Sequence, residues 1–81
     1  MDIDVREIVM EEAKKITDID DISMDMNIYD DLNISSIEAV ALLCEIEERL
    51  NIEIKEEALD EVSTVEELIN VIEEIYEKQI I

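Results

Sequence analysis

Two adjacent hydroxyls, one thiol and a large surplus of carboxylates are the groups in this chain that could do chemistry. No histidine occurs among its 81 residues. A Ser-His or Cys-His nucleophile pair is therefore excluded, as is an ordinary zinc catalytic site. The one cysteine, Cys44, cannot form an intramolecular disulfide. It has no base beside it, and acidic neighbours oppose a thiolate, so it reads as a small apolar residue, buried or half-buried. The aspartates between Asp18 and Asp31 invite a calcium reading, but the pattern fails. Counting from Asp18, the sixth place is Ser23 where an EF-hand needs glycine, and the twelfth is Tyr29 where it needs glutamate. These acids would hold divalent cations loosely, without a built metal site. Met1, Met10, Met24 and Met26 read as filler or chain start.

Ser35 and Ser36 remain, in the run Asp31-Leu32-Asn33-Ile34-Ser35-Ser36-Ile37-Glu38-Ala39-Val40. Ser35 with Glu38 three residues on spells a capping box, which makes Ser36 the first helical residue. Ser35 then turns its hydroxyl back onto the helix backbone, and Ser36 points its own into solvent. A helix start offers free N–H groups and the positive end of a dipole, which suits a phosphate ester. Two serines that only cap the helix would produce the same spacing.

The elements that must position this pair follow from periodicity. Val5, Ile8, Val9, Ala13 and Ile16 recur at helical spacing and predict a helix over 4–16. Asp4 and Glu7 open it as a capping box, and Lys14 and Lys15 close it where the helix dipole favours cations. Residues 17–34 are crowded with Asp and Asn, and Ile19, Ile22, Ile28, Leu32 and Ile34 are interleaved without a period. They read as a long loop pinned to the core by isolated aliphatics, of a length that is often functional. Asn33 stands in for glycine, since asparagine tolerates positive φ. Ala39, Leu42, Leu43, Ile46 and Leu50 form the stripe of a second helix over 36–50, stopped by Asn51. Ile52-Glu53-Ile54 is extended, and a short helix over 56–62 turns Ala58, Leu59 and Val62 inward. Ser63 with Glu66, or Thr64 with Glu67, caps a last helix that carries Val65, Leu68, Ile69, Ile72 and Ile75 and runs to about Glu77. The expectation is an all-α bundle of three main helices plus one short helix, with a long loop between the first two.

The second helix carries more apolar surface than one core stripe needs. Ile37, Val40, Ala41 and Cys44 lie on a line that Glu48 extends, with Glu38, Glu45 and Glu47 around it. An apolar strip rimmed by charge suits a protein-binding face. A core stripe wide enough to absorb Val40 would explain the same spacing.

Composition narrows the classes. Twenty-five acidic residues against six basic give a net charge of −19. Nucleic acids and anionic membranes both need a basic footprint, so neither is a partner. Phe and Trp are absent, which removes base-stacking platforms. No stretch reads as a secretory leader, and no apolar run approaches the ~20 residues of a membrane span. Yet 48% of residues are apolar, 16 of them isoleucine, so the acids do not signal disorder. Gly and Pro are both absent. These features predict one domain over 1–81, a cytoplasmic monomer that works by being recognised.

Taken together, the residues resemble the acyl carrier protein family over nearly the whole chain. The segment from Asp31 to Ile37 is similar to the family's Asp-Ser-Leu motif, with Ser36 on the modified serine and Ile37 on the following leucine. Glu45-Ile46-Glu47-Glu48-Arg49-Leu50-Asn51-Ile52-Glu53-Ile54 resembles the acidic end of the family's second helix and the loop beyond it. Val62-Ser63-Thr64-Val65 is similar to the start of its last helix. Ser35 replaces the motif's aspartate, keeping the cap but losing a charge beside Ser36. Asn33 stands where glycine is usual and Ala41 where an acid is common, and Ile37 is similar to peptidyl carrier domains. The resemblance implies an acyl-carrier-like four-helix bundle that is not an enzyme. It implies that a phosphopantetheinyl transferase, using coenzyme A and magnesium, joins 4′-phosphopantetheine to Ser36. The arm's thiol would then hold acyl or aminoacyl groups as thioesters. A loading ligase and acyl-processing enzymes of fatty-acid, polyketide or related biosynthesis would dock through basic patches. They would meet Glu38, Glu45, Glu47 and Glu48 around Ile37, Val40, Ala41 and Cys44. The core around Leu42, Leu43, Ile46, Leu50, Ile54, Leu59, Val62, Leu68 and Ile72 would be a shelter for an acyl chain. The alternative, prompted by Ser35, is an unmodified acidic adaptor that binds basic partners without a covalent arm.

Overall fold

Three apolar stripes, one on each helix, meet in a single core. In a computed structural model that describes residues 3–80, the helices are α1 (Val5–Thr17), α2 (Ser36–Leu50) and α3 (Val65–Ile80). Val9, Ile46 and Ile72, one from each, are wholly buried. Around them pack Val5, Ala13, Leu42, Leu43, Leu68 and Ile69. Ile8, Ile16 and Ile75, expected on the same stripes, lie half-buried at the margin. Met1 lies outside the described residues; Met10, Met24 and Met26 pack half-buried against the core as filler.

Each helix begins on a polar side chain. The Asp4 carboxylate accepts the Glu7 N–H at 3.2 Å and starts α1. Ser35 starts α2, as described below. At α3 the box is Thr64 with Glu67, and Glu66 takes no part in it. Thr64 Oγ1 accepts the Glu67 N–H, while Glu67 Oε1 accepts those of Ser63 and Thr64. The helices end without glycine. Asp18 after α1 and Asn51 after α2 take left-handed conformations, at φ 58° and 57°. Their N–H groups donate to Lys14 O and Glu47 O, satisfying carbonyls the helix leaves free. Asn33 is the third such position, at φ 57°.

The long loop is anchored as its aliphatics suggest, with Ile22, Ile28, Leu32 and Ile34 buried and Ile19 half-buried. Its polar residues tie it internally. Asn27 Oδ1 accepts the N–H groups of Tyr29 and Asp30, and Asp31 Oδ2 accepts that of Asn27. A further anchor has no signature in the sequence: the loop pairs with the start of α3. Ile28 N–H donates to Ser63 O, Val65 N–H to Met26 O, and Glu66 N–H to Met24 O. The loop thereby satisfies donors that the first turn of α3 cannot.

The short helix expected over 56–62 is a 3₁₀ turn over Glu56–Leu59. Ala58, Asp60 and Val62 each donate to the carbonyl three residues back, at Lys55, Glu57 and Leu59. Lys55 offers no side-chain cap, and Glu56, Glu57, Asp60 and Glu61 repel one another, so no second turn follows. Among the described residues the fold is three α-helices and one short 3₁₀ helix, confined to Glu56–Leu59. Val62 is buried, and Ala58 and Leu59 are half-buried. The last helix runs past Glu77 to Ile80, and its end has a partner. Gln79 donates to Glu53 O at 2.7 Å and accepts the Glu53 N–H at 2.9 Å, clasping the helix end to the link after α2. Among the described residues no helix is long and apolar enough to cross a membrane.

Asn33 gives a direct test of the turn that leads into α2. Asn33→Val should lower stability by about 1–2 kcal/mol, because a β-branched side chain clashes in the left-handed region. Asn33→Gly should stay within about 1 kcal/mol of the parent. Urea unfolding of the three chains measures both.

Candidate functional site

Ser35 takes an extended conformation at φ −78° and ψ 167°, and its Oγ accepts the Glu38 N–H at 3.2 Å. Glu38 Oε1 reaches back to accept the Ser35 N–H at 3.0 Å. This reciprocal pair commits the Ser35 hydroxyl to the backbone. Ser36 is then the first residue of α2, exposed, with its hydroxyl outside the capping bonds. The backbone N–H groups of Glu38 and Ala39 are taken up by Ser35. Those of Ser36 and Ile37, in the first turn, remain for an anion at the positive end of the dipole. The bonds from Ser35, first its backbone N–H and then its hydroxyl, hold the Glu38 carboxyl below the usual glutamate range.

The strip beyond Ser36 divides by exposure. Ile37 is 84% exposed, the most solvent-laden of the large apolar side chains. Val40 is half-buried, and Ala41 is exposed. Cys44 is exposed rather than buried or half-buried. Seven residues, two helical turns, separate it from Ile37, so it shares that outward face and not the core face of Leu43.

The four carboxylates expected around the strip are not equivalent. Glu45 and Glu48 are exposed and form no ion pair among the described residues. Glu38 serves the cap. Glu47 is half-buried and accepts the Ile54 N–H at 2.6 Å, which fastens the link after α2. Arg49 turns away from the strip to Glu11 and Glu12 on α1, at 2.8 and 2.9 Å. Glu12, 4% exposed, also meets Lys15 at 3.3 Å. The spacing 5, 9, 12 and 16 is itself helical and is the signal in the sequence for the buried position of Glu12.

An open groove of about 340 Å³ adjoins Ser36. Tyr29 from the loop, Val40 from α2 and Leu59 from the 3₁₀ turn supply its apolar lining. Glu56, Glu57 and Asp60 supply carboxylates. Nothing in the sequence joins residues 56–60 to Ser36; the fold alone does. Of the shelter residues, Leu59 is half-buried and lines this groove, and the others are buried in the packed core.

The site is thus an exposed hydroxyl at the first turn of α2, beside a neighbour that caps the helix. Residues 4–72 match the family model described as phosphopantetheine attachment site. The chain belongs to this family of acyl and peptidyl carriers, whose prosthetic group is covalently attached 4′-phosphopantetheine. No solved structure matches the chain. The residues present fit the group: a free hydroxyl at Ser36, unpaired backbone donors for a phosphodiester, and an open groove beside it.

The Glu38 cap predicts a pH signature. With its folded pKa depressed, Glu38 contributes stability that is complete above its unfolded value, ~4.3, and lost as pH falls through the folded value. Carboxyl-carbon NMR should place the Glu38 midpoint below ~4.3. Ser35→Ala should move it up.

Proposed function

We propose that this protein carries acyl or aminoacyl groups on a 4′-phosphopantetheine arm attached to Ser36. The observation that carries this reading is the division of labour between the two serines. Ser35 is spent on the cap, and Ser36 is exposed with its hydroxyl uncommitted. When bound, the arm supplies a terminal thiol on which an acyl group is held for transfer. The chain's own part is to present Ser36, to bind the ester phosphate with first-turn N–H groups, and to be recognised. It performs no turnover itself. The absence of histidine and of any base–nucleophile pair supports that view.

A phosphopantetheinyl transferase is the first partner. A loading ligase and the acyl-processing enzymes of a fatty-acid, polyketide or related pathway are the others. Glu45 and Glu48, which form no ion pair among the described residues and lie beside Ile37 and Ala41, are the charges best placed to steer basic patches toward Ser36. Exposed pairs contribute only ~0–1 kcal/mol each and are screened by salt, which suits partners that must bind and leave.

Incubation with coenzyme A, magnesium and a promiscuous transferase should add one phosphopantetheine by mass spectrometry. Ser36→Ala should abolish the addition and Ser35→Ala should keep it. Failure of the unaltered chain with several transferases would sink the proposal and leave an unmodified adaptor. In the same assay, Glu45→Gln with Glu48→Gln should lower kcat/KM about tenfold at low salt and little at high salt.

A further inference from the structure

We infer that the groove beside Ser36 receives cargo bearing a protonated amine, and that the carrier shelters aminoacyl groups in preference to neutral or carboxylate-bearing acyl groups. This rests on the carrier reading above. The groove is built from three parts of the chain, and Ser36 itself is one of its walls. A flexible arm fixed at that wall can return its far end to the groove.

The lining has two characters. Tyr29 and Leu59 are half-buried, as is Val40, and together they offer a short apolar floor. Glu56, Glu57 and Asp60 are exposed and close one side with three carboxylates. Lys55, the cation next to them in sequence, lines another groove with Lys78 and Glu53, and Glu57 stands between the two grooves and lines both. Among the described residues no cation lines the groove at Ser36, so Glu56 and Asp60 have no partner within it. Charge complementarity selects a ligand with a small apolar body and a positive end. A carboxylate cargo meets three like charges. A long neutral chain finds only a short floor in a groove open to water. At solvent-exposed distances the preference is modest, about threefold to tenfold in occupancy, and falls with salt.

Three cargoes of matched length separate these cases: 3-aminopropanoyl, butanoyl and succinyl, each loaded onto Ser36 from its coenzyme A derivative. Amide chemical shifts of Tyr29, Val40 and Leu59, referenced to the unloaded arm-bearing protein, report occupancy. The 3-aminopropanoyl form should shift all three, butanoyl less, and succinyl least. The first shift should shrink at about 0.5 M salt, where screening is short-ranged. It should also shrink in Glu56→Gln/Glu57→Gln/Asp60→Asn, whose helical circular dichroism should match the parent. Equal shifts for succinyl and 3-aminopropanoyl, or an unchanged response in the folded triple variant, would overturn the inference. If Ser36 accepts no arm at all, the carrier reading has failed. The groove is then tested by titrating free 3-aminopropanoyl-pantetheine and succinyl-pantetheine into the unmodified chain, with the same expected order and the same overturning result.

Discussion

The peptide of Ile28 holds the functional end of this molecule together. Its side chain is almost wholly buried, its N–H donates to Ser63 O, and its carbonyl accepts the Ile34 N–H. Ser63 opens onto α3, and Ile34 precedes the cap of α2. One buried residue therefore fixes two helix starts against each other across a long loop. The direction in which α2 begins, and so where Ser36 faces, depends on that pair of bonds. A buried backbone group left without a partner would cost ~1–3 kcal/mol, so the loop has little freedom to drift.

Surplus acid does structural work before it does any steering. Asp4, Asp31, Glu38, Glu47 and Glu67 each accept backbone N–H groups, at helix starts, in the loop or in the link after α2. Glu12 gathers Arg49 and Lys15 at the edge of the core. A chain without glycine or proline lacks the usual means of making turns, and carboxylates take over much of that role. What remains for partners is a smaller set than the formal charge suggests, with Glu45 and Glu48 nearest the exposed apolar strip.

Much of this was legible in the sequence, for physical reasons that also mark where reading stops. Helix starts are encoded over three residues, so Asp4 and Ser35 stand out by spacing alone, while at the last helix spacing leaves Ser63 and Thr64 as alternatives. The stripe of α2 emerged whole because Ala39, Leu42, Leu43, Ile46 and Leu50 repeat at helical spacing. Features that depend on two distant segments left no local mark. The clasp of Gln79 on Glu53, the pairing of the loop with α3, and the arrival of Glu56, Glu57 and Asp60 beside Ser36 are of this kind. For Cys44, residue type favours burial while its position on the helix dictates exposure. The short helix stops sooner than the apolar spacing over 58–62 suggests, because that spacing does not outweigh four carboxylates in six residues.

Asp18, Asn33 and Asn51 make the chain reverse with side chains attached. Their conformation is less comfortable for them than for glycine in the native state. The balance also involves the unfolded ensemble. A glycine there ranges over both halves of φ, and replacing it at a compatible site is worth ~0.4–1 kcal/mol through the entropy the chain no longer has to lose. A chain with none begins its collapse from a narrower population. Part of its stability is thus stored in what it cannot do when unfolded, and no inspection of native contacts would count it.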